Sequence, residues 1–565
     1  QYRVFSRSAD DPANSTGQDL VLQRRRLAEA GPRDFFQETD TYRGVLGLQG
    51  RFGEGWEWNT ALNWGRSTGV DGSTNVANLQ RVANTLDTAL CSNVPGAAIP
   101  CADYLGYGDV TPEVLDYIMF TSRGTGGNEQ KSFTANLSGQ VFELPAGWVG
   151  FATGVEIRND RGWRHPDALV QSGVANGNAQ DPVEGDYTAK EAFVEFAIPL
   201  LQGKAWAEAM YFNVALRHSH YDLFGGDNNY KLGLDWQVTP GFKLRANHST
   251  AFRVPNVPEL FGGLSEGNLI TADPCSNWSA RPASDVIRQN CQANGVPVNY
   301  VQLGNTVLTT GGGNINLQPE DARTTTLGMV WTPAFAGGLT LTADYYDIKI
   351  ENAIQSVAGS TKLALCYGTP GLSHPFCDSS NFTRNPVTGE IDFLSSQPVN
   401  AASERASGVD LGLLYEFQWG QWHGSLDWDA SYLDRYDLIP YQGGPTIEYA
   451  GKTTGGRGSY AKWRSLAELA VSQGPWSGSY SLQYIGKVDD INASPGDIGD
   501  HAPSVTYHNA MARFAFDESL SVELGIDNLF NKQAPFVQSY TDANTDTMTY
   551  DLLGRRMYLR VNYRW

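Results

Sequence analysis

The sequence predicts an all-β protein: a large antiparallel β-barrel that crosses a membrane. Three observations carry that prediction. Side-chain character alternates with a period of 2 along most of the chain, short turns alternate with long polar loops, and tryptophans gather beside the short turns.

The alternation is clearest in four segments. Phe133, Ala135, Leu137 and Val141 interleave with Thr134, Asn136, Ser138 and Gln140. Val409, Leu411, Leu413, Tyr415 and Phe417 share one face. Leu520, Val522, Leu524 and Ile526 alternate with Ser521, Glu523, Gly525 and Asp527. At the end, Met557, Leu559, Val561, Tyr563 and Trp565 oppose Arg556, Tyr558, Arg560, Asn562 and Arg564. A helix would scatter these residues around its circumference, whereas a strand sorts them onto two faces. Arginines on one face cannot enter a dry core unpaired, but they can face a wet or plug-filled lumen, where plug carboxylates would pair with them.

Tight turns are signalled at Gly53-Glu54-Gly55, Pro145-Ala146-Gly147, Gln202-Gly203-Lys204, Pro240-Gly241, Trp419-Gly420-Gln421 and Gly474-Pro475. Between them lie long polar stretches at 68–130, 160–185, 254–320, 350–402 and 437–459. A soluble β-sandwich has no reason to keep every second connection short. Trp56, Trp58, Trp148, Trp206, Trp236, Trp331, Trp419, Trp422 and Trp476 stand near short turns, and Trp565 ends the chain. Indole favours a boundary that is apolar on one side and hydrogen-bonding on the other, so these form an aromatic girdle. About nineteen strands are expected, the first over Tyr2–Ser6.

Composition agrees. The chain has 565 residues with 61 glycines, 26 tyrosines, 24 phenylalanines and 15 tryptophans, and only 18% charged residues. No apolar run reaches the roughly 18 residues a transmembrane helix needs. The net charge of −20 disfavours a nucleic-acid partner. Six cysteines form three local pairs, Cys91 with Cys101, Cys275 with Cys291 and Cys366 with Cys377, each inside one polar stretch. None has zinc-site spacing, which predicts loop disulfides in an oxidising compartment.

No catalytic motif is present, so no enzyme is expected. His218-Ser219-His220 puts two imidazoles on one strand face, but Phe212, Val214 and Leu216 share that face. The pair therefore reads as outward, interfacial histidines and no metal site is assigned. Asp542, Asn544 and Asp546 have the opening spacing of a calcium loop, yet Leu553 stands where its closing glutamate belongs. No cofactor is expected, with loop calcium the one alternative. Candidate substrate contacts are the loop aromatics Trp278, Tyr300, Tyr367 and Phe376, whose rings could stack on a ligand.

Several segments resemble the TonB-dependent receptors of the bacterial outer membrane. Phe252-Arg253-Val254-Pro255-Asn256 looks like the family's strand-end motif before a large loop, and Asn316-Leu317-Gln318-Pro319-Glu320 like its pre-strand motif. Asn528-Leu529-Phe530-Asn531-Lys532 resembles the segment upstream of the last strand, and Gly554 to Trp565 the terminal strand itself. The resemblance implies a 22-stranded barrel whose C-terminal wall is residues 1–565. The plug, the TonB-binding box and about three strands would lie upstream. It implies TonB-coupled import of a scarce small ligand, whether siderophore, carbohydrate, cobalamin or peptide. Outer-membrane lipid and lipopolysaccharide would surround the wall. A passive channel or a structural, adhesive surface barrel is the rival expectation.

Overall fold

The computed structural model describes residues 5–7, 20–22, 27–104, 110–302, 306–540 and 543–564. Among the described residues, seventeen long strands build the wall. They are β1 (Phe35–Phe52), β2 (Trp56–Ala77), β3 (Met119–Leu144), β4 (Gly147–His165), β5 (Val183–Lys204) and β6 (Ala207–Tyr221). Then come β7 (Gly225–Thr239), β8 (Phe242–Arg253), β9 (Glu320–Trp331), β10 (Leu339–Ser356), β11 (Pro398–Trp419) and β12 (Trp422–Ile439). The last five are β13 (Trp463–Gln473), β14 (Trp476–Ile485), β15 (Val505–Ala515), β16 (Leu520–Asp527) and β17 (Arg556–Tyr563). Each is antiparallel to the next, and the two-residue strand Ile447–Glu448 adds to β12.

The count is close to the nineteen or so expected. Gly458–Tyr460, Lys452–Thr454, Val488–Asp490 and His501–Ala502 pair with one another in a small loop sheet instead of joining the wall. The opening strand is also corrected. Its first residues, Tyr2 to Val4, lie outside the described residues, and Phe5–Arg7 pairs with Leu20–Leu22 in a separate two-stranded sheet. Among the described residues the first wall strand begins at Phe35.

Register fixes the two faces. The row Leu62, Phe133 and Ile157 runs across β2, β3 and β4, and Leu341, Leu413 and Trp428 run across β10, β11 and β12. These face outward. Asn59, Asn136 and Gly154 form a matching inward row, as do Asp344, Asp410 and Ser431. Trp58, Trp148, Trp206, Trp331, Trp419, Trp422 and Trp476 are exposed at the short-turn end. On β17, Arg556 pairs with Asp527 at 3.4 Å and Arg560 with Glu523 at 3.1 Å. Their counter-charges thus come from the neighbouring strand, where the sequence had suggested a plug.

The strand order is that of a barrel, with β17 coming round beside β1. Sixteen ladders carry the wall from β1 to β17 residue by residue, but among the described residues no register joins those two ends. With an odd number of alternating strands, β1 and β17 both run toward the short-turn end, so an antiparallel ladder cannot form between them. Both are exposed on both faces: outward Leu46 and inward Val45 are 66% and 58% exposed.

Candidate ligand-capture mouth

The ends opposite the short turns carry the long loops, and two of these fold together. Residues 254–319 and 357–397 share one dry core that includes Trp278, Tyr300, Tyr367, Phe382 and Leu394. Two disulfides brace it, Cys275–Cys291 and Cys366–Cys377, while Cys91–Cys101 braces the loop between β2 and β3. Each bond therefore closes one loop locally, and all three lie at the end away from the tryptophans.

The loops are joined by a buried ion pair. Arg384 donates to both oxygens of Asp273 at 2.6 Å and from Nε to the Tyr367 hydroxyl at 2.6 Å. The Tyr300 hydroxyl donates to Asp273 at 2.9 Å. Burial opposes charge on Arg384, but the Asp273 carboxylate outweighs it and raises the guanidinium's proton affinity. Asn290 ties the loops a second time, donating to the carbonyls of Tyr367 and Thr369 at 2.9 and 2.7 Å.

This packing places the aromatic candidates. Trp278, Tyr300 and Tyr367 are interior residues of the cap, at most 5% exposed, so they hold the loops together and offer no ring to solvent. Phe376 is half-buried against His374 and Tyr441.

The resemblance motifs meet at the cap's root. Arg253, at the top of β8, donates to Glu320 from Nε at 2.7 Å and to Glu259 from Nη1 at 2.9 Å. Glu259 belongs to the short helix α1 (Val257–Phe261), which Asn256 caps by accepting from the Glu259 amide at 2.8 Å. Pro255 is buried just before that cap, and Phe252 stacks edge-on against Tyr221 at 5.8 Å. α1 lies against the wall where glycines leave room: a Cβ on Gly185 would stand 2.1 Å from the Phe261 ring. Beyond it, Leu317 is buried between Asn316 and Gln318, Pro319 leads into β9, and Glu320 also accepts from the Ile354 amide at 2.6 Å. Near the last strand, Asn528 takes a left-handed φ of 51° and its side chain bonds the Lys532 backbone and Asp551. Leu529 follows half-buried, and Phe530 packs on His508 at 4.8 Å. Trp565 lies outside the described residues, as does Asp542 of the calcium-like loop. Among the described residues no cluster of three or more metal-binding side chains occurs.

A second group at the mouth escaped the sequence reading. Glu404 shares the inward register of Asp410 on β11, and it accepts from Gln355 and from the Tyr436 hydroxyl at 3.2 Å. Arg457 reaches it at 3.7 Å, donates to Gln355 at 2.6 Å and lies 5.6 Å over the Tyr449 ring. Tyr436 and Tyr460 stack at 4.6 Å, with Tyr449 at 5.6 Å from Tyr460. Guanidinium, carboxylate and phenol faces thus converge at the lumen's edge, and only Tyr449 of the group is buried. No local motif announces them, because they come from β10, β11, β12 and the loop hairpin that follows β12.

An outward apolar band, a polar lumen and a folded cap over the mouth define a membrane barrel of the receptor kind. The chain belongs to the TonB-dependent receptor-like β-barrel family, whose model matches residues 1–529. Members of that family are transport receptors, not enzymes; they sit in the Gram-negative outer membrane, bind siderophore-type ligands and interact with TonB. Among solved structures, the chain is similar to the ferric enterobactin receptor PfeA of Pseudomonas aeruginosa. Identity is 14%, over 93% of this chain and 62% of that one, with a TM-score of 0.57. The siderophore receptor PirA of Acinetobacter baumannii matches at 14% identity over the same shares, with a TM-score of 0.52. The ferric-catecholate import receptor Fiu of E. coli matches at 12% identity, covering 94% and 64%, with a TM-score of 0.50. The chain therefore spans less than two thirds of the length of these receptors.

Proposed function

We propose that this chain is the greater part of the wall and of the capture mouth of an outer-membrane receptor that imports a scarce ligand by TonB-coupled transport. The observation that carries this is the polar mouth under a disulfide-braced cap, on a barrel wall with an apolar outer face. The resemblance implies a 22-stranded wall, so further strands would join the seventeen found among the described residues. Those strands, with a plug and a TonB-binding segment, would belong to the rest of the protein, as in the 22-stranded family pattern.

The ligand meets the Arg457, Tyr436 and Tyr460 edge, where a guanidinium binds anionic oxygens and phenol faces accept flat rings. The neighbours' siderophores are the first ligands to try, followed by carbohydrate, cobalamin and peptide. The test is uptake of labelled ferric siderophores by cells expressing the full-length protein, with and without TonB. Saturable uptake that stops when TonB is removed is expected; uptake that persists without it, linear in concentration, would make the barrel a passive channel.

A further inference from the structure

His218 and His220 stand on β6 one residue apart, so their side chains share a face and are spaced by two strand residues, about 6.8 Å at the backbone. Both are exposed, just above outward Leu216 and Val214. The neighbouring strand adds two features that the sequence spacing alone does not carry. Opposite His220 stands Gly226, and opposite His218 stands Asn228.

Gly226 leaves a hole between the rings. The point where its Cβ would stand is 3.0 Å from His218 Cε1, 3.4 Å from His218 Nε2 and 3.7 Å from His220 Nδ1. Two ring nitrogens therefore border one small space that any other residue would fill. Asn228 sets the chemistry of one of them. Its Oδ1 lies 2.9 Å from His218 Nδ1; in the tautomer with the proton on Nδ1 that oxygen accepts it, and Nε2 keeps a free lone pair beside the hole. An oxygen acceptor that fixes the tautomer and aims the opposite nitrogen is how metal-binding imidazoles are usually held, and the Asn228 amide oxygen can play that part.

We infer that His218 and His220 form a two-imidazole site for a borderline divalent transition ion, with Gly226 providing the space and Asn228 the orientation. Ligand bonds of about 2.0–2.1 Å require the exposed rings to swing together over Gly226, and water completes the coordination. Affinity follows the usual order for nitrogen donors, Cu²⁺ above Ni²⁺ and Zn²⁺. Calcium and magnesium, which need oxygen ligands, are excluded.

The test uses the untagged full-length protein in detergent micelles, titrated with Cu²⁺ and followed by electron paramagnetic resonance. One ion per chain with hyperfine structure from two imidazole nitrogens is expected. His218→Gln with His220→Gln should abolish that signal, and Gly226→Val should do so with both histidines present. Asn228→Ala should weaken binding about tenfold, since it loses only the orienting bond. Both histidines and the glycine lie on the outside of the wall, so retained heat-modifiable migration verifies that each variant is folded. An unchanged signal in the double histidine variant, or no two-nitrogen signal in the parent, would overturn the site.

Discussion

The cap and the wall are made by one chain for two different solvents. In the cap, Trp278, Leu363, Tyr367 and Leu394 are buried and polar groups lie outside or are paired, as in a small soluble domain. In the wall the order is reversed: Leu469, Leu524 and Leu559 are exposed on the outer face while Asp410, Glu523 and Arg560 look inward. The difference teaches that period alone does not locate a core. The same alternation can be dry inside or dry outside, and the outer band is stable only against hydrocarbon.

The sharpest way to break the comparison is to spoil the cap's dry core without touching the wall. Asp273→Asn leaves Arg384 charged and buried, and breaking such a pair costs about 3–5 kcal/mol. Hydrogen exchange should show residues 254–319 and 357–397 opening together, with β10 and β11 still protected. Opening of one loop alone would mean the cap is two bodies. The wall offers the converse test. Leu411→Arg puts a cation on the outer face at mid-strand, at a cost of about 2–4 kcal/mol in a bilayer. Folding yield into lipid vesicles should fall, while Gly412→Arg, one residue away and inward, should disturb the fold by crowding Thr342 and Asp429 instead. Equal lipid dependence for the two would sink the inside-out assignment. A third, smaller change joins the regions. Gly185→Val drives a methyl-bearing carbon into the Phe261 ring, so α1 must lift at about 1–3 kcal/mol. Protease sensitivity near 254–262 should rise first.

The wall was legible in the sequence because each strand declares its own faces. The Met557 to Tyr563 face, the Val409 to Phe417 face and the short turns all need only local information, as did the three cysteine pairs, separated by 10, 16 and 11 residues. The cap was not legible. Asp273 and Arg384 are 111 residues apart, so nothing near Tyr300 or Tyr367 tells that a second loop will bury them. Loop aromatics read as ligand contacts for want of that partner. The Arg457 and Tyr436 edge is legible only once register brings β10, β11 and β12 side by side.

The smallest expected effect isolates one buried charge. Lys362, in the helix α2 (Gly359–Gly368), is 1% exposed and donates to the Ser395 carbonyl at 2.9 Å. Its remaining neighbour of note is the Phe376 ring at 5.8 Å, and among the described residues no carboxylate pairs with it. Burial lowers its pKa from 10.5, so the folded cap holds this proton less tightly than the unfolded loop does. Between the lowered value and 10.5 the unfolded loop carries more protons, and cap stability must rise with pH across that window. Lys362→Met keeps the stem and removes the charge, so it should raise cap stability by on the order of 1 kcal/mol near neutral pH. It should also flatten the alkaline rise. Hydrogen exchange of residues 359–368, with the known pH dependence of intrinsic exchange divided out, reads both effects in one experiment. A parent cap that loosens as pH rises, or a methionine variant with the same slope, would mean that Lys362 stays charged through contacts with the solvent side of the cap.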